Sequence, residues 1–344
     1  MSDFHFLKIK DIEKLTSNSI AVNFNVPNEL KNKFNFYAGQ YITLESIIND
    51  EKVRRSYSIC SPPEEGLKIG IKKLEGGLFS SYAMNNFKKG DMIKISSPEG
   101  RFYFKKSEKK EIITGIAAGS GITPILSIAK SVLNANTENE FRLVYGNKSK
   151  SDEMFSNDLL DLKSKFSKRF ILINIYSRIS EPKSLFGRID NSTVNFYRKN
   201  YGVANKYYIC GPEEMIHKLS AELINIGVLE TNIYFELFKT KKKYSSESVE
   251  KSESIIEIIY EGITYKINNP KGKTVLDVAL DSNIDVPYSC QGGVCSSCVA
   301  KLISGDVTMG NNQVLTEEEV NDGLVLACQS IPKDKYLKIN FDEV

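Results

Sequence analysis

Tyr288-Ser289-Cys290-Gln291-Gly292-Gly293-Val294-Cys295-Ser296-Ser297-Cys298 presents three thiols at C-x4-C-x2-C spacing, and Leu326-Ala327-Cys328-Gln329 adds a fourth after 29 intervening residues. Two bridged ferric ions need four thiolates converging from outside, so a short loop must curl around them while presenting three sulfurs. Gly292 and Gly293 allow that curl, because glycine alone takes positive φ without steric cost. Amides of such a loop can also point at the sulfurs. The spacing therefore marks a [2Fe–2S] site with Cys290, Cys295, Cys298 and Cys328 as ligands. Two readings compete with it: a zinc site, which usually shows paired C-x2-C units, and the disulfide staple of a small secreted domain.

Outward from this loop, 344 residues are too many for one compact core and predict two or three domains. With 41% hydrophobic and 26% charged residues, the composition is that of a globular chain. The first residues, Met1-Ser2-Asp3-Phe4-His5-Phe6-Leu7-Lys8, lack the apolar stretch of a signal peptide, and no run approaches a membrane span. A cytoplasmic protein, in which thiols and clusters persist, is the expectation. The formal charge of +3 divides unevenly, about −6 over residues 254–344 and about +9 over the rest. That asymmetry suits docking of an acidic electron carrier on a basic body, and equally suits incidental surface charge. No motif accompanies the lysines, so nucleic acid is not a partner. Only His5 and His217 are available as imidazoles, which leaves too few for a Rieske cluster beside a non-haem iron site. Oxygen chemistry is thus assigned to another protein.

In residues 1–108, Ile20, Val22, Phe24 and Val26 alternate, as do Leu67, Ile69 and Ile71, the period of half-buried strands. Short strands with frequent turns predict an antiparallel barrel or sandwich. Two segments stand out: Arg54-Arg55-Ser56-Tyr57-Ser58-Ile59-Cys60-Ser61, and Glu75-Gly76-Gly77-Leu78-Phe79-Ser80-Ser81-Tyr82, whose glycines precede a helix through Phe87. Amides at a helix N-terminus suit a phosphate.

From Lys110 the pattern changes. Ile112 to Ala118 is continuously apolar, as a parallel strand buried on both faces would be. Gly119-Ser120-Gly121-Ile122-Thr123-Pro124 follows, with Thr123 placed as N-cap and Pro124 as first helical residue of an amphipathic helix. Strand, glycine turn and helix open a dinucleotide-binding fold. Further units follow: Phe141 to Tyr145 and a polar helix from about Ser151, Phe170 to Ser177, and Tyr207 to Cys210 leading through Gly211-Pro212 to a helix ending at Ile226. Residues 109–238 thus predict an α/β Rossmann-like domain. Residues 239–253 are charged and serine-rich, a flexible linker. Residues 254–344 then show a hairpin at Glu261-Gly262, a helix from Val275 to Asp281, the cluster loop and an acidic helix near Glu317 to Asn321, an α+β fold.

Taken together, these segments resemble the ferredoxin–NADP reductase superfamily carrying a C-terminal plant-type [2Fe–2S] ferredoxin domain of the β-grasp class. The resemblance implies FAD, [2Fe–2S] and NADPH as cofactors. It assigns Arg55 to the flavin diphosphate, Tyr57 to the isoalloxazine face, Ser58 to the flavin N5, and Gly77 with Ser80 to the pyrophosphate. A guanidinium forks onto phosphate and a flat ring stacks on a flat ring, so the chemistry agrees. It places Gly119 in the nucleotide turn, Thr123 and Cys210 beside the nicotinamide, and Gly211 and Pro212 around its pocket. Glu236, in Tyr234-Phe235-Glu236-Leu237-Phe238, reaches toward the flavin edge, or is simply part of a final strand. Ser58, Cys210 and Glu236 form the catalytic set. Ser177-Arg178 is where the family's NADPH users carry Ser-Arg, and Lys148 and Lys150 add positive charge; Asp152 and Glu153 keep NADH open, since a carboxylate selects a 2′-hydroxyl.

A flavin converts a hydride pair into single electrons, which a cluster requires. The implied path runs from NADPH through FAD and [2Fe–2S] to an oxygenase. Over essentially the whole length, the domain order and motifs are most similar to reductase subunits of phenylacetyl-CoA epoxidases, implying a di-iron oxygenase partner and a place in phenylacetate catabolism. The alternatives are a reductase serving a Rieske dioxygenase, membrane hydroxylase or desaturase, or a non-enzymatic electron-carrier module.

Overall fold

Residues 4–238, 254–269 and 272–344 are described by the structure, a computed structural model. The linker expected over residues 239–253 lies outside them. The described residues pack as two units, one of Phe4–Leu237 and one from Phe238 to Val344.

The alternating segments become six antiparallel strands: β1 (Phe4–Thr16), β2 (Ser19–Asn25), β3 (Tyr41–Ile48), β4 (Glu51–Ser58), β5 (Leu67–Lys72) and β6 (Met92–Ser96), in the order β4-β3-β6-β1-β2-β5. An Ile59–Ile69 bridge joins the end of β4 to β5 and rolls the sheet into a barrel. Its interior is filled by Leu7, Val22, Ile42, Leu44, Ile69 and Ile95. Helix α1 (Leu78–Asn86) covers one end and sends Phe79 and Ala83 into that core. Strand β2 departs from simple alternation. Ala21, between Ile20 and Val22, is also buried, because this outer face packs on the following domain.

That domain is a parallel sheet built of β7 (Ile112–Ala118), β8 (Glu140–Asn147), β9 (Phe170–Tyr176), β10 (Leu185–Phe186), β11 (Lys206–Gly211) and β12 (Ile233–Leu237), ordered β10-β9-β8-β7-β11-β12. Helices α2 (Ile122–Ala135), α3 (Ser156–Lys165), α4 (Asn191–Tyr201) and α5 (Glu213–Asn225) connect them. The order reverses between β7 and β11, and in open α/β sheets ligands bind at the carboxyl ends of strands at such a switch point. Barrel and sheet share one core, in which Ala21, Ala38, Cys60 and Phe102 join Ile125, Ile128 and Phe155. Gly70 of β5 makes the close approach possible. A Cβ there would stand 2.7 Å from Thr123 Cγ2 and 3.0 Å from Phe155 Cζ.

Two helix starts differ from the sequence expectation. Gly119–Gly121 coil into a 3-10 turn, so α2 begins at Ile122 and Gly121, not Thr123, is its N-cap. Thr123 lies inside the first turn and donates its hydroxyl to Ser120 O at 3.0 Å. The helix expected from about Ser151 is only a 3-10 turn there, Lys150–Asp152. The α-helix waits until Ser156, because Phe155 takes a left-handed φ of 60°.

The C-terminal unit holds β13 (Ser254–Tyr260), β14 (Ile263–Asn269), helix α6 (Val275–Asp281), β15 (Val299–Ser304), β16 (Val307–Met309), helix α7 (Glu317–Asn321), β17 (Leu324–Leu326), β18 (Ser330–Pro332) and β19 (Tyr336–Asn340). Five strands form a mixed sheet, β14-β13-β19-β15-β17, with β13 and β19 parallel, and β16 pairs β18 apart from it. The first hairpin turns at Glu261 and Gly262, both with positive φ, the conformation favoured by two-residue turns. Both turn amides donate to the Asp342 carboxylate at 2.9 Å. Helix α6 starts in a Thr274–Asp277 capping box and buries Val275, Leu276, Val278 and Ala279 against the sheet.

Candidate functional site

Strand β4 separates its two arginines by side. Arg54 is buried, its Nε donating to Glu45 Oε2 at 2.6 Å, with Phe4 beneath its guanidinium at 4.6 Å. Arg55 is exposed on the other face, with Nη1 donating to Arg54 O at 2.6 Å. Of the two, Arg55 alone leaves its side chain exposed. Two residues on, the half-buried Tyr57 ring tilts toward Phe79 at 5.9 Å, so the helix that follows the glycine turn supports the ring expected against the flavin.

In that turn Gly76 has φ +69°, and Gly77 is the N-cap of α1, where a Cβ would stand 2.7 Å from Ser80 Oγ. Ser80 Oγ accepts Leu74 N at 3.1 Å and lies 3.4 Å from Gly77 O. The buried hydroxyl therefore closes the turn, leaving backbone amides at the start of α1 as the donors suited to a phosphate.

Ser58 ends β4 and donates its hydroxyl to Glu236 Oε2 at 2.8 Å. Glu236 is on β12, beside Cys210 of β11 in the parallel register. The three residues assigned to catalysis, 178 positions apart at the extremes, thus meet at one place. Burial pushes the Glu236 carboxyl up to about 8, against the downward pull of the Ser58 hydrogen bond. Burial first, and the Glu236 charge second, hold the Cys210 thiol well above its ordinary range. It is consequently a neutral packing group, as hydride transfer between rings requires no thiolate.

Directly beneath lies the nucleotide turn. A Cβ on Gly121 would fall 2.1 Å from Cys210 O and 3.1 Å from Gly211 N, so the two glycine motifs touch backbone to backbone at the switch point. Gly119 adopts φ +55°, and its carbonyl accepts the Tyr145 hydroxyl at 3.2 Å. A Cβ on Gly211 would stand 2.5 Å from Met215 Cε and 3.0 Å from Ala118 Cβ, and Pro212 is the N-cap of α5. Thr123 packs its methyl against Gly70.

Ser177 and the exposed Arg178 follow β9, tied by their amides to Asn147 O at 3.0 Å and Lys148 O at 2.9 Å. The nearby acids are turned elsewhere. Glu153 is buried and accepts the Tyr176 hydroxyl at 2.7 Å, and Asp152 accepts Ser149 Oγ at 2.7 Å.

In the C-terminal unit, Cys295, Cys298 and Cys328 are buried and Cys290 half-buried, and none of the six cysteines is in a disulfide. Contact with Cys295, then with Cys328, holds the Cys290 thiol well below its ordinary range; contact with Cys290 raises both partners. Gly292 N donates to Cys290 Sγ at 3.3 Å and Cys290 N to Cys295 Sγ at 3.5 Å. Four crowded free thiols with amides aimed at their sulfurs fit a cationic iron–sulfide centre. Among the described residues, no three thiol, imidazole or carboxyl groups gather as ligands of a single metal ion.

The residues that hold this loop escaped the sequence reading. Asn311 Nδ2 donates to Gly292 O at 2.6 Å, Gln313 N to Gly293 O at 3.0 Å, and Gln329 Nε2 to Gln291 O at 3.2 Å. Their only signal was the polar run Gly310-Asn311-Asn312-Gln313 and an amide side chain next to Cys328.

Residues 6–104 match the oxidoreductase FAD-binding domain family, 116–220 the oxidoreductase NAD-binding domain family, and 258–333 the 2Fe-2S iron–sulfur cluster binding domain family. A subunit of the 1,2-phenylacetyl-CoA epoxidase of Escherichia coli (strain K12) is 33% identical, over 99% of this chain and 99% of that one. The ferredoxin reductase component of the 3-ketosteroid-9-alpha-monooxygenase of Rhodococcus rhodochrous is 29% identical, over 97% and 96%. Phthalate dioxygenase reductase, described as a modular structure for electron transfer from pyridine nucleotides to [2Fe–2S], has the same fold. The TM-score is 0.64 at 23% identity, over 98% of both chains. Among the described residues, no helix is long and apolar enough to cross a membrane.

Proposed function

The chain belongs to the family of NAD(P)H-dependent oxidoreductases that join FAD-binding, NAD-binding and 2Fe-2S domains as reductase components of oxygenases, and from that premise we propose that it carries electrons from NADPH to a di-iron epoxidase acting on phenylacetyl-CoA. The observation that carries the site reading is the meeting of Ser58, Glu236 and Cys210 over the Gly121 turn. Arg55, Tyr57, Ser58 and the amides about Gly77 and Ser80 would hold FAD, and Cys290, Cys295, Cys298 and Cys328 the [2Fe–2S] cluster. When bound, the flavin supplies the exchange between a hydride pair and single electrons.

The chain's own groups do the positioning. Gly121 and Gly211 let the nucleotide turn and the start of α5 pack backbone to backbone, and Thr123, Cys210 and Pro212 beside them would shape the nicotinamide site. Glu236, its carboxyl raised to about 8, accepts the Ser58 hydroxyl, and in its carboxylate form it would take up through that hydroxyl the proton released at the flavin N5 as the electrons leave. Arg178, with Lys148 and Lys150, favours a 2′-phosphate, while Glu153 and Asp152 are already engaged. NADPH is therefore preferred over NADH.

The acceptor rests on the E. coli relative. The Rhodococcus relative supports a second reading, a monooxygenase with another substrate. Purified oxygenase components, each supplied with this reductase, NADPH and its own substrate, separate the two. Epoxide formation from phenylacetyl-CoA at the rate of NADPH consumption is expected. Turnover with the ketosteroid enzyme alone would move the assignment to the second reading.

A further inference from the structure

Gln329 directly follows the fourth cysteine, and its side chain folds back over it. Its Oε1 accepts the Asn311 backbone N–H at 3.2 Å. A backbone N–H can only donate, so this contact sets the orientation of the amide. Nε2 must then face the other partners, Cys328 O at 2.9 Å, Gln291 O at 3.2 Å and Cys328 Sγ at 3.6 Å, so that one of its two protons is shared with the sulfur. Only 7% of the residue is exposed, which leaves water little access to compete for that sulfur.

We propose that Gln329 is a positioning residue that donates an amide proton to the Cys328 sulfur and raises the reduction potential of the cluster. The proposal rests on the four cysteines being the cluster ligands. Reduction adds one electron and no proton, so negative charge on the iron-bound sulfurs grows. A donor aimed at a sulfur stabilises the reduced form more than the oxidised one. The loop amides of Gly292 and Cys290 act in the same sense, but they belong to the backbone. Gln329 does so with a side chain, and so makes the potential adjustable by substitution.

The test is an EPR-monitored redox titration of the full-length protein loaded with FAD and cluster. In Gln329→Leu the equilibrium shifts about tenfold toward the oxidised form, about 59 mV for a one-electron couple. Asn311→Ala, which loses the bond to Gly292 O but keeps the amide on the sulfur, sheds iron faster to a chelator and titrates as wild type. A wild-type potential in Gln329→Leu overturns the proposal and leaves Gln329 as a clasp only. Should that variant fail to assemble, wild-type protein labelled with nitrogen-15 in its glutamine side chains is reduced and studied by pulsed EPR. A nitrogen coupling lost in Gln329→Glu is expected, and its absence in wild type overturns the proposal. Wild-type protein without iron and sulfide would instead sink the cluster reading, and this inference with it.

Discussion

Glycine serves the two units of this molecule for different reasons. At Gly121, in the flavin–nucleotide unit, φ is an ordinary −60°, and only the carbonyl of Cys210, 2.1 Å from where a Cβ would sit, excludes a side chain. At Gly293, in the cluster loop, the backbone is left-handed at φ +73° and Asn311 O presses equally close. The first turn is held by two strands of a continuous core, backbone on backbone. The second is held by the side chains of Asn311 and Gln329 and by the backbone amide of Gln313. A rigid sheet can position a flat nicotinamide by packing alone, whereas a loop around a cluster needs hydrogen bonds to keep its curl.

The sharpest way to break this contrast is to disable one unit and watch the other. Cys328→Ala abolishes iron retention and the visible cluster bands, and with them NADPH-driven reduction of a one-electron protein acceptor. Reduction of ferricyanide through the flavin persists, measured in the same preparation. Loss of both activities would mean that the units do not function separately.

Next in size, Glu236→Gln lowers electron transfer out of the reduced flavin about 100-fold, the range of a lost proton-transfer group. The wild-type rate rises as pH rises through about 8, and the variant profile is flat there. The sign for stability is the opposite. A carboxyl raised in the folded state stabilises most below its unfolded value and loses that contribution as pH rises through about 8. Thermal midpoints of the variant should fall less over that window than those of wild type.

The glycine pair itself is tested by Gly121→Ala and Gly293→Ala, each costing about 1–3 kcal/mol from overpacking. Gly293→Ala bears in addition about 1–2 kcal/mol of left-handed strain. Calorimetry of the loaded protein separates them. The first substitution lowers the unfolding temperature of the flavin–nucleotide unit and raises KM for the nucleotide; the second lowers cluster retention. Equal effects of both on both units would erase the distinction. The smallest effect belongs to Arg178→Ala, which raises KM for NADPH about tenfold, the worth of one charge-assisted contact. KM for NADH is unchanged, and steady-state kinetics with both nucleotides read the ratio.

Local chemistry made much of this legible in the sequence. The cysteine spacing, the Arg55-Ser56-Tyr57-Ser58 strand, the Gly119–Gly121 turn and the Cys210-Gly211-Pro212 turn each announce themselves within a few residues, because each is a pattern of adjacent residues. Strand periods fell where expected for the same reason, since alternation is a property of neighbours. Other features required the folded chain. Ser58 meets Glu236 only because β12 comes to lie beside β11 and against the barrel, and Ala21 is buried only because a second domain covers β2. The helix after Gly121 starts two residues early because a 3-10 turn fits beneath Cys210. Asn311 and Gln329 become loop clasps solely through contacts 19 and 38 residues away. Spacing along the chain determines which groups can bind a cofactor, whereas partners brought together across the fold decide how those groups are oriented and how they hold their protons.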